Sequence, residues 1–160
     1  MYLARGLWYR PAPRLGLGPP VAARLVSTAR PGGKDVGMAR ILIAEDDAAV
    51  REFVSRALRH QGHDVTAVED GLHALESMSA NTYDLLITDI VMPGLDGIAL
   101  ALKAAKEYPD MAILMMTGYA AERQRAHNLE ALIHQVIAKP FSLQQICEAA
   151  RDALNGRPIN

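Results

Sequence analysis

Four short apolar runs, each closing on a residue capable of chemistry, constrain this chain more than any other feature. Arg40-Ile-Leu-Ile-Ala44 runs into Glu45-Asp46-Asp47, and Leu85-Leu-Ile-Thr88 runs into Asp89. Ala112-Ile-Leu-Met-Met116 ends at Thr117-Gly118, and Val136-Ile-Ala138 ends at Lys139-Pro140. Unbroken apolar and β-branched runs of this length read as strands covered on both faces, the mark of a parallel sheet. Asp64-Val-Thr-Ala-Val68 alternates instead, which suits an edge strand.

Helical patterns fall between these runs. Val50, Phe53, Val54, Ala57 and Leu58 share one face, with Asp47 placed to cap the helix start and Gly62 just past its end. Leu72, Leu75 and Met78 form a second face, and Ile98, Ala101, Leu102 and Ala105 a third. Leu143, Ile146, Cys147, Ala150 and Leu154 form the last, opened by a capping box of Ser142 and Gln145. The stretch from Ala120 to Leu129 should also be helical, but it is polar almost all round, so it packs weakly and is a candidate for movement. Strand and helix alternate throughout, which predicts a doubly wound α/β domain. Its five-stranded parallel sheet should run 2-1-3-4-5, with right-handed crossovers and helices on both faces.

Residues 1–37 are different in kind. They carry Arg5, Arg10, Arg14, Arg24, Arg30 and Lys34 against the single acid Asp35, are rich in proline and glycine, and show no periodicity. Such a stretch cannot bury enough apolar surface to offset its ordering entropy. Three readings compete: a transit peptide, which should be amphipathic and richer in serine than this; a basic disordered arm; and a stretch upstream of the true translation start. The last is preferred, because Met38-Ala-Arg enters a strand at once and Lys34-Asp35 can be encoded as a purine-rich ribosome-binding sequence. The domain is therefore expected over 38–156, with 157–160 as a tail and no room for an output domain. The 160-residue chain is half apolar, has a net charge of -1, and contains one cysteine. Those figures argue against nucleic acid as the main partner, against a disulfide framework, and for a reducing cytoplasmic setting. No apolar run approaches a membrane span.

The chemistry concentrates at one end. In an open parallel sheet the carboxyl ends of the strands form the ligand crevice, so Glu45, Asp46, Asp89, Thr117 and Lys139 should converge there. Two carboxylates 4 Å apart repel by about 1 kcal/mol in water and about 4 at an effective dielectric of 20. Three together call for a cation, and all-oxygen ligation with room for water suits Mg²⁺. Asp89 can then serve as a carboxylate nucleophile toward a phosphoryl group. Lys139 and Thr117 are placed to meet the transferring oxygens by charge and by hydrogen bond.

Four segments together resemble the receiver domains of two-component response regulators. They are Ile41-Leu-Ile-Ala-Glu-Asp-Asp47, Asp89-Ile-Val-Met-Pro-Gly-Leu-Asp-Gly97, Met116-Thr-Gly118 and Lys139-Pro-Phe141. The resemblance implies a flavodoxin-like fold, a phosphoacceptor at Asp89, and a phosphohistidine donor on a histidine kinase or histidine phosphotransferase. It also implies Mg²⁺ served by Glu45, Asp46, Asp89 and the backbone carbonyl of Val91, and a cis Lys139–Pro140 bond. Met116-Thr-Gly-Tyr-Ala-Ala-Glu-Arg-Gln-Arg-Ala-His127 and His134-Gln-Val-Ile-Ala-Lys-Pro-Phe141 are further similar to the CpdR group of stand-alone alphaproteobacterial receivers. That likeness implies that the unphosphorylated form primes the ClpXP protease to degrade cell-cycle proteins; the protein is expected to be a monomer. Two departures stand out. Val136 occupies a position where many receivers carry an aromatic switch residue, and the chain ends Pro-Ile-Asn where some CpdR-like members end in two small apolar residues.

Competing functions share the site. A phosphate sink or a phosphorylation-independent binding module would need the same residues. A Mg²⁺-dependent phosphohydrolase would need a second acid two residues after the nucleophile, where this chain has Val91, so a turnover enzyme is not expected. Asp96-Gly97 reads as a turn capping the next helix. The five histidines show no metal pattern with one another or with Cys147, which reads as core. Val91 and Tyr119 should lie at the cleft mouth.

Overall fold

The computed structural model describes residues 37–129 and 131–156. The readings of 1–37 as an extension and of 157–160 as a tail lie almost wholly outside them. Five strands and five helices alternate: β1 (Arg40–Ala44), α1 (Ala48–His60), β2 (Asp64–Val68), α2 (Gly71–Ala80), β3 (Leu85–Asp89), α3 (Gly97–Glu107), β4 (Ala112–Thr117), α4 (Ala120–His127), β5 (Gln135–Ala138) and α5 (Leu143–Leu154). The sheet is parallel throughout, as the strand and helix alternation predicts, and its order β2-β1-β3-β4-β5 is the one expected for this fold class.

Alternation of side chains along the strands divides the core in two. Ile41, Ile43, Leu85, Ile87, Leu114 and Met116 face α1 and α5. Leu42, Ala44, Leu86, Ile113 and Met115 face α2, α3 and α4. Strands β1, β3 and β4 are buried along nearly their whole length, which is why they read as unbroken apolar runs. β5 departs from that reading. It is half-buried at every position, because it closes one edge of the sheet and the short α4 gives it little cover.

The helix ends follow local chemistry. Asp47 Oδ1 accepts from the amides of Ala49 and Val50 at 2.8 and 3.1 Å, and Gly62 past the end of α1 takes φ +91°, the left-handed conformation that ends helices cheaply only at glycine. Ser142 and Gln145 exchange hydrogen bonds at the start of α5. Some apolar positions assigned to buried faces are not buried: Phe53, Leu72, Leu102 and Leu143 are exposed. The contact with the sheet is carried by Ala74 and Met78 in α2, by Leu100, Ala101 and Ala104 in α3, and by Ile146, Ala149, Ala150 and Ala153 in α5. Cys147 is half-buried against the α1–α5 core rather than enclosed in it. No helix among the described residues is long and apolar enough to cross a membrane.

Candidate functional site

The carboxyl ends of β1, β3, β4 and β5 bring the expected side chains together. Glu45 is fully buried, and its Oε1 accepts from the Asp47 amide at 3.0 Å while its Oε2 accepts from Lys139 Nζ at 2.8 Å. The same Nζ lies 3.3 Å from Asp89 Oδ2. Asp89 Oδ1 accepts from the Ile90 amide at 2.9 Å, which fixes the carboxylate plane. Asp46 is exposed at the rim, and one carboxylate oxygen from each of Glu45, Asp46 and Asp89 lies within 4.8 Å of the others. Val91 lies in the loop beyond β3 with its side chain exposed, and Tyr119 is exposed after β4.

The electrostatics follow from burial. Desolvation raises the pKa of Glu45 above its ordinary value, against the lowering effect of Lys139. Asp89 is raised for the same reason, again opposed by Lys139. Burial pulls Lys139 downward, but its hydrogen bond and charge contact with Glu45, helped by Asp89, outweigh that and leave it raised. Lys139 is thus firmly cationic, while the two acids it bridges sit where a second cation would relieve them.

Thr117 carries the most telling detail. Its hydroxyl is buried and makes no hydrogen bond among the described residues, although its carbonyl accepts from the Lys139 amide at 2.7 Å. A buried hydroxyl without a partner costs stability, so its retention at a strand end beside Asp89 and Lys139 points to a partner that arrives from outside. Three clustered carboxylate oxygens beside an ammonium and an orphaned hydroxyl fit a hard divalent cation together with a phosphate-like anion.

Sequence reasoning missed two supports. Arg51 donates from Nη1 to the carbonyls of Glu45 at 2.7 Å and Asp46 at 3.4 Å, holding the acidic turn. Gly97 does more than form a turn: a Cβ there would stand 1.8 Å from the Asp89 carbonyl oxygen. The signal was present in a glycine directly after the capping residue Asp96, where helix propensity favours almost any other residue. A second group, Glu69, Asp70 and His73, also comes together, at the start of α2. There Asp70 caps the helix through the His73 amide and pairs with its ring, both at 2.8 Å.

The response regulator receiver domain model matches residues 41–151, and the chain belongs to that family. Within it, the chain resembles the response regulator receiver protein CpdR of Brucella abortus, with 40% identity over 109 residues that cover 68% of this chain and 91% of that one. The response regulator MprA of Mycobacterium ulcerans is 34% identical over 115 residues, and there the match spans only 50% of the relative. Among solved structures, the response regulator TrrA of Thermotoga maritima in complex with Mg²⁺-BeF superposes with a TM-score of 0.63. It is 30% identical, over 69% of this chain and 95% of that one. The chain is thus a CpdR-like receiver rather than a turnover enzyme.

Proposed function

We propose that this protein is a phosphorylation-switched response regulator in which Asp89 accepts a phosphoryl group from a phosphohistidine. The observation that carries this reading is the buried, partnerless hydroxyl of Thr117 beside the Asp89–Lys139–Glu45 cluster. An Asp89 carboxylate oxygen attacks phosphorus, a P–O bond forms as the P–N bond to the donor imidazole breaks, and the imidazole leaves with its electron pair. Lys139 sits where it can neutralise charge on the transferring oxygens, and Thr117 supplies a hydrogen bond to one of them. Glu45, Asp46, Asp89 and the carbonyl of Val91 would hold Mg²⁺, which when bound offsets the charge gathered between the acids and the phosphoryl group.

The donor is read as a protein, a histidine kinase or histidine phosphotransferase. An apolar cavity of about 460 Å³ lined by Ala49, Val50, Phe53, Lys139, Pro140 and Phe141 opens beside the site and supports that reading. The likeness to CpdR supports control of ClpXP-mediated turnover of cell-cycle proteins by the unphosphorylated form, in a monomeric cytoplasmic protein. A phosphate sink would use the same residues, and a pull-down for protease components separates the two.

The test is to incubate the full chain with acetyl phosphate and Mg²⁺, beside Asp89→Ala, and to run both on a phosphate-affinity gel. A retarded band in the wild type, absent from Asp89→Ala and from samples in EDTA, is expected. No band with any donor, or an equal band in the variant, overturns the assignment.

A further inference from the structure

Helix α4 is polar almost throughout, yet it begins on a buried carboxylate. Glu122 is only 7% exposed, and its Oε2 accepts from the Gly118 amide at 2.7 Å and the Tyr119 amide at 3.3 Å. Those amides follow directly on Thr117, the residue with the orphaned hydroxyl. The peptide unit joining Thr117 to Gly118 is therefore gripped at both ends. Its carbonyl accepts from the Lys139 amide at 2.7 Å, and its N–H donates to Glu122. Only Glu122 and Ala126 of α4 are buried, and the carboxylate anchors the start of this helix to the chain as it leaves β4.

Free main-chain amides at a helix start attract anions, and here a side-chain anion already occupies them. We propose that Glu122 is a built-in competitor of the phosphoryl group, holding the Gly118 and Tyr119 amides in the unmodified chain and being displaced when Asp89 is phosphorylated. This rests on the reading of Asp89 as phosphoacceptor. A phosphoryl group adds about two negative charges at the end of β3, next to β4 in the sheet. The Thr117 hydroxyl finds its partner by donating to that group, which draws the 117–119 loop toward the anion. Gly118 has room to follow, since a Cβ on it would meet nothing nearer than Glu122 Oε2 at 3.7 Å. The Glu122 carboxylate is then carried toward a second anion in a place with little water to screen the two, and repulsion favours its release. With the carboxylate gone, α4 keeps Ala126 as its buried contact and loosens. Coupling is reciprocal, so the contact that phosphorylation breaks also opposes phosphorylation.

Glu122 is a positioning residue in this scheme, and two variants separate that role from simple helix capping. Glu122→Gln keeps an oxygen acceptor of the same shape and removes the charge, whereas Glu122→Ala removes both. Hydrogen exchange over residues 118–127 is followed in the full chain for wild type and both variants, with and without acetyl phosphate and Mg²⁺. A phosphate-affinity gel runs on the same samples, with Asp89→Ala as the blank. In the wild type, exchange over this segment should rise at least about tenfold on phosphorylation, as the Gly118 and Tyr119 amides lose their charge-assisted hydrogen bonds to Glu122. Glu122→Ala should exchange at that faster level before phosphorylation, and accept phosphate from the small donor several-fold faster. Glu122→Gln should stay protected and respond clearly less than the wild type. A Glu122→Gln response equal to that of the wild type overturns the inference even where Glu122→Ala fails to fold. A gel shift with no change over 118–127 overturns it while leaving the phosphoacceptor reading intact. No gel shift in the wild type removes both.

Discussion

The loop after β3 and the loop after β4 open on the same cleft, but their tolerances are opposite. Beyond β3 the chain is clamped. Asp89 Oδ1 accepts from the Ile90 amide at 2.9 Å, the Ile90 carbonyl accepts from the Gly97 amide at 2.8 Å, and Thr88 Oγ1 donates to the Asp89 carbonyl at 2.9 Å. Gly97 packs so closely on that carbonyl that no side chain fits, and the helix it opens buries Leu100, Ala101 and Ala104. Beyond β4 the Thr117–Gly118 peptide is held by the Lys139 amide and the Glu122 carboxylate, but the chain has space around Gly118, a hydroxyl without a partner among the described residues, and a helix that buries only Glu122 and Ala126. A nucleophile must be held in a reactive geometry, whereas a segment that reports on the reaction must have somewhere to go. On the proposed reading, the division of labour between acceptor and reporter would lie in how tightly the two loops are packed.

Placing one methyl group on each loop tests this directly. Gly97→Ala should destabilise the protein by about 3 kcal/mol and impair phosphorylation, since its Cβ would drive into the Asp89 carbonyl. Denaturant melts and the phosphate-affinity gel would show it, and a neutral result would mean that the tight loop is not tight. Asp46→Ala removes one carboxylate from the cluster, and in EDTA it should raise stability by about 1 kcal/mol, the repulsion of two carboxylates near 4 Å in water-like surroundings. The same variant should lose its Mg²⁺-dependent phosphorylation. A lower melting temperature in EDTA would contradict the clustering.

The β5 edge beside α4 carries a pH-sensitive contact that sharpens the comparison. His134 Nδ1 accepts from the Ile113 amide at 3.0 Å, and burial holds this imidazole below its ordinary 6.5. At the opposite edge His63 Nδ1 accepts from the Ala39 amide at 3.1 Å, lowered by burial and then by Arg151. The unfolded chain takes up these protons first as pH falls. Their stability contribution is therefore complete above about 6.5 and is lost as pH drops through the lower folded values. His134→Asn keeps an acceptor without the titration, so its melting temperature should fall less steeply between roughly pH 7 and 5. A slope equal to that of the wild type would show that His134 does not titrate. The smallest effect is expected at the loose loop, where Gly118→Ala should change stability by less than about 0.5 kcal/mol. A cost there comparable to that of Gly97→Ala would abolish the distinction.

Most of the scaffold was legible because its cause is local. Unbroken apolar runs report burial on both faces, and the acids, hydroxyl and lysine at their ends report the crevice. Asp47, Ser142 and Gly62 report helix ends through hydrogen bonds made within a few residues. What escaped depends on distant approach. The need for glycine at 97 lies in the carbonyl of Asp89, eight positions away in sequence but in van der Waals conflict with any Cβ. The exposure of Leu72, Leu102 and Leu143 reflects the phase of each helix: the buried stripes run through Ala74 and Met78, Leu100 and Ala104, and Ile146 and Ala150, and alanines mark such a stripe only faintly in a sequence. Glu122 reads as one more charge on a polar helix until the amides of Gly118 and Tyr119 are seen on its carboxylate. Arg51 was invisible for a similar reason, since backbone carbonyls leave no mark in a sequence.

The most direct measurement is hydrogen exchange on the full chain before and after acetyl phosphate and Mg²⁺, comparing residues 97–107 of α3 with residues 118–127 of the β4–α4 segment. Exchange should quicken over 118–127 while α3 stays as protected as before, and Asp89→Ala should abolish the difference. Equal changes in both segments, or a change confined to α3, would contradict a fixed acceptor read through a movable neighbour.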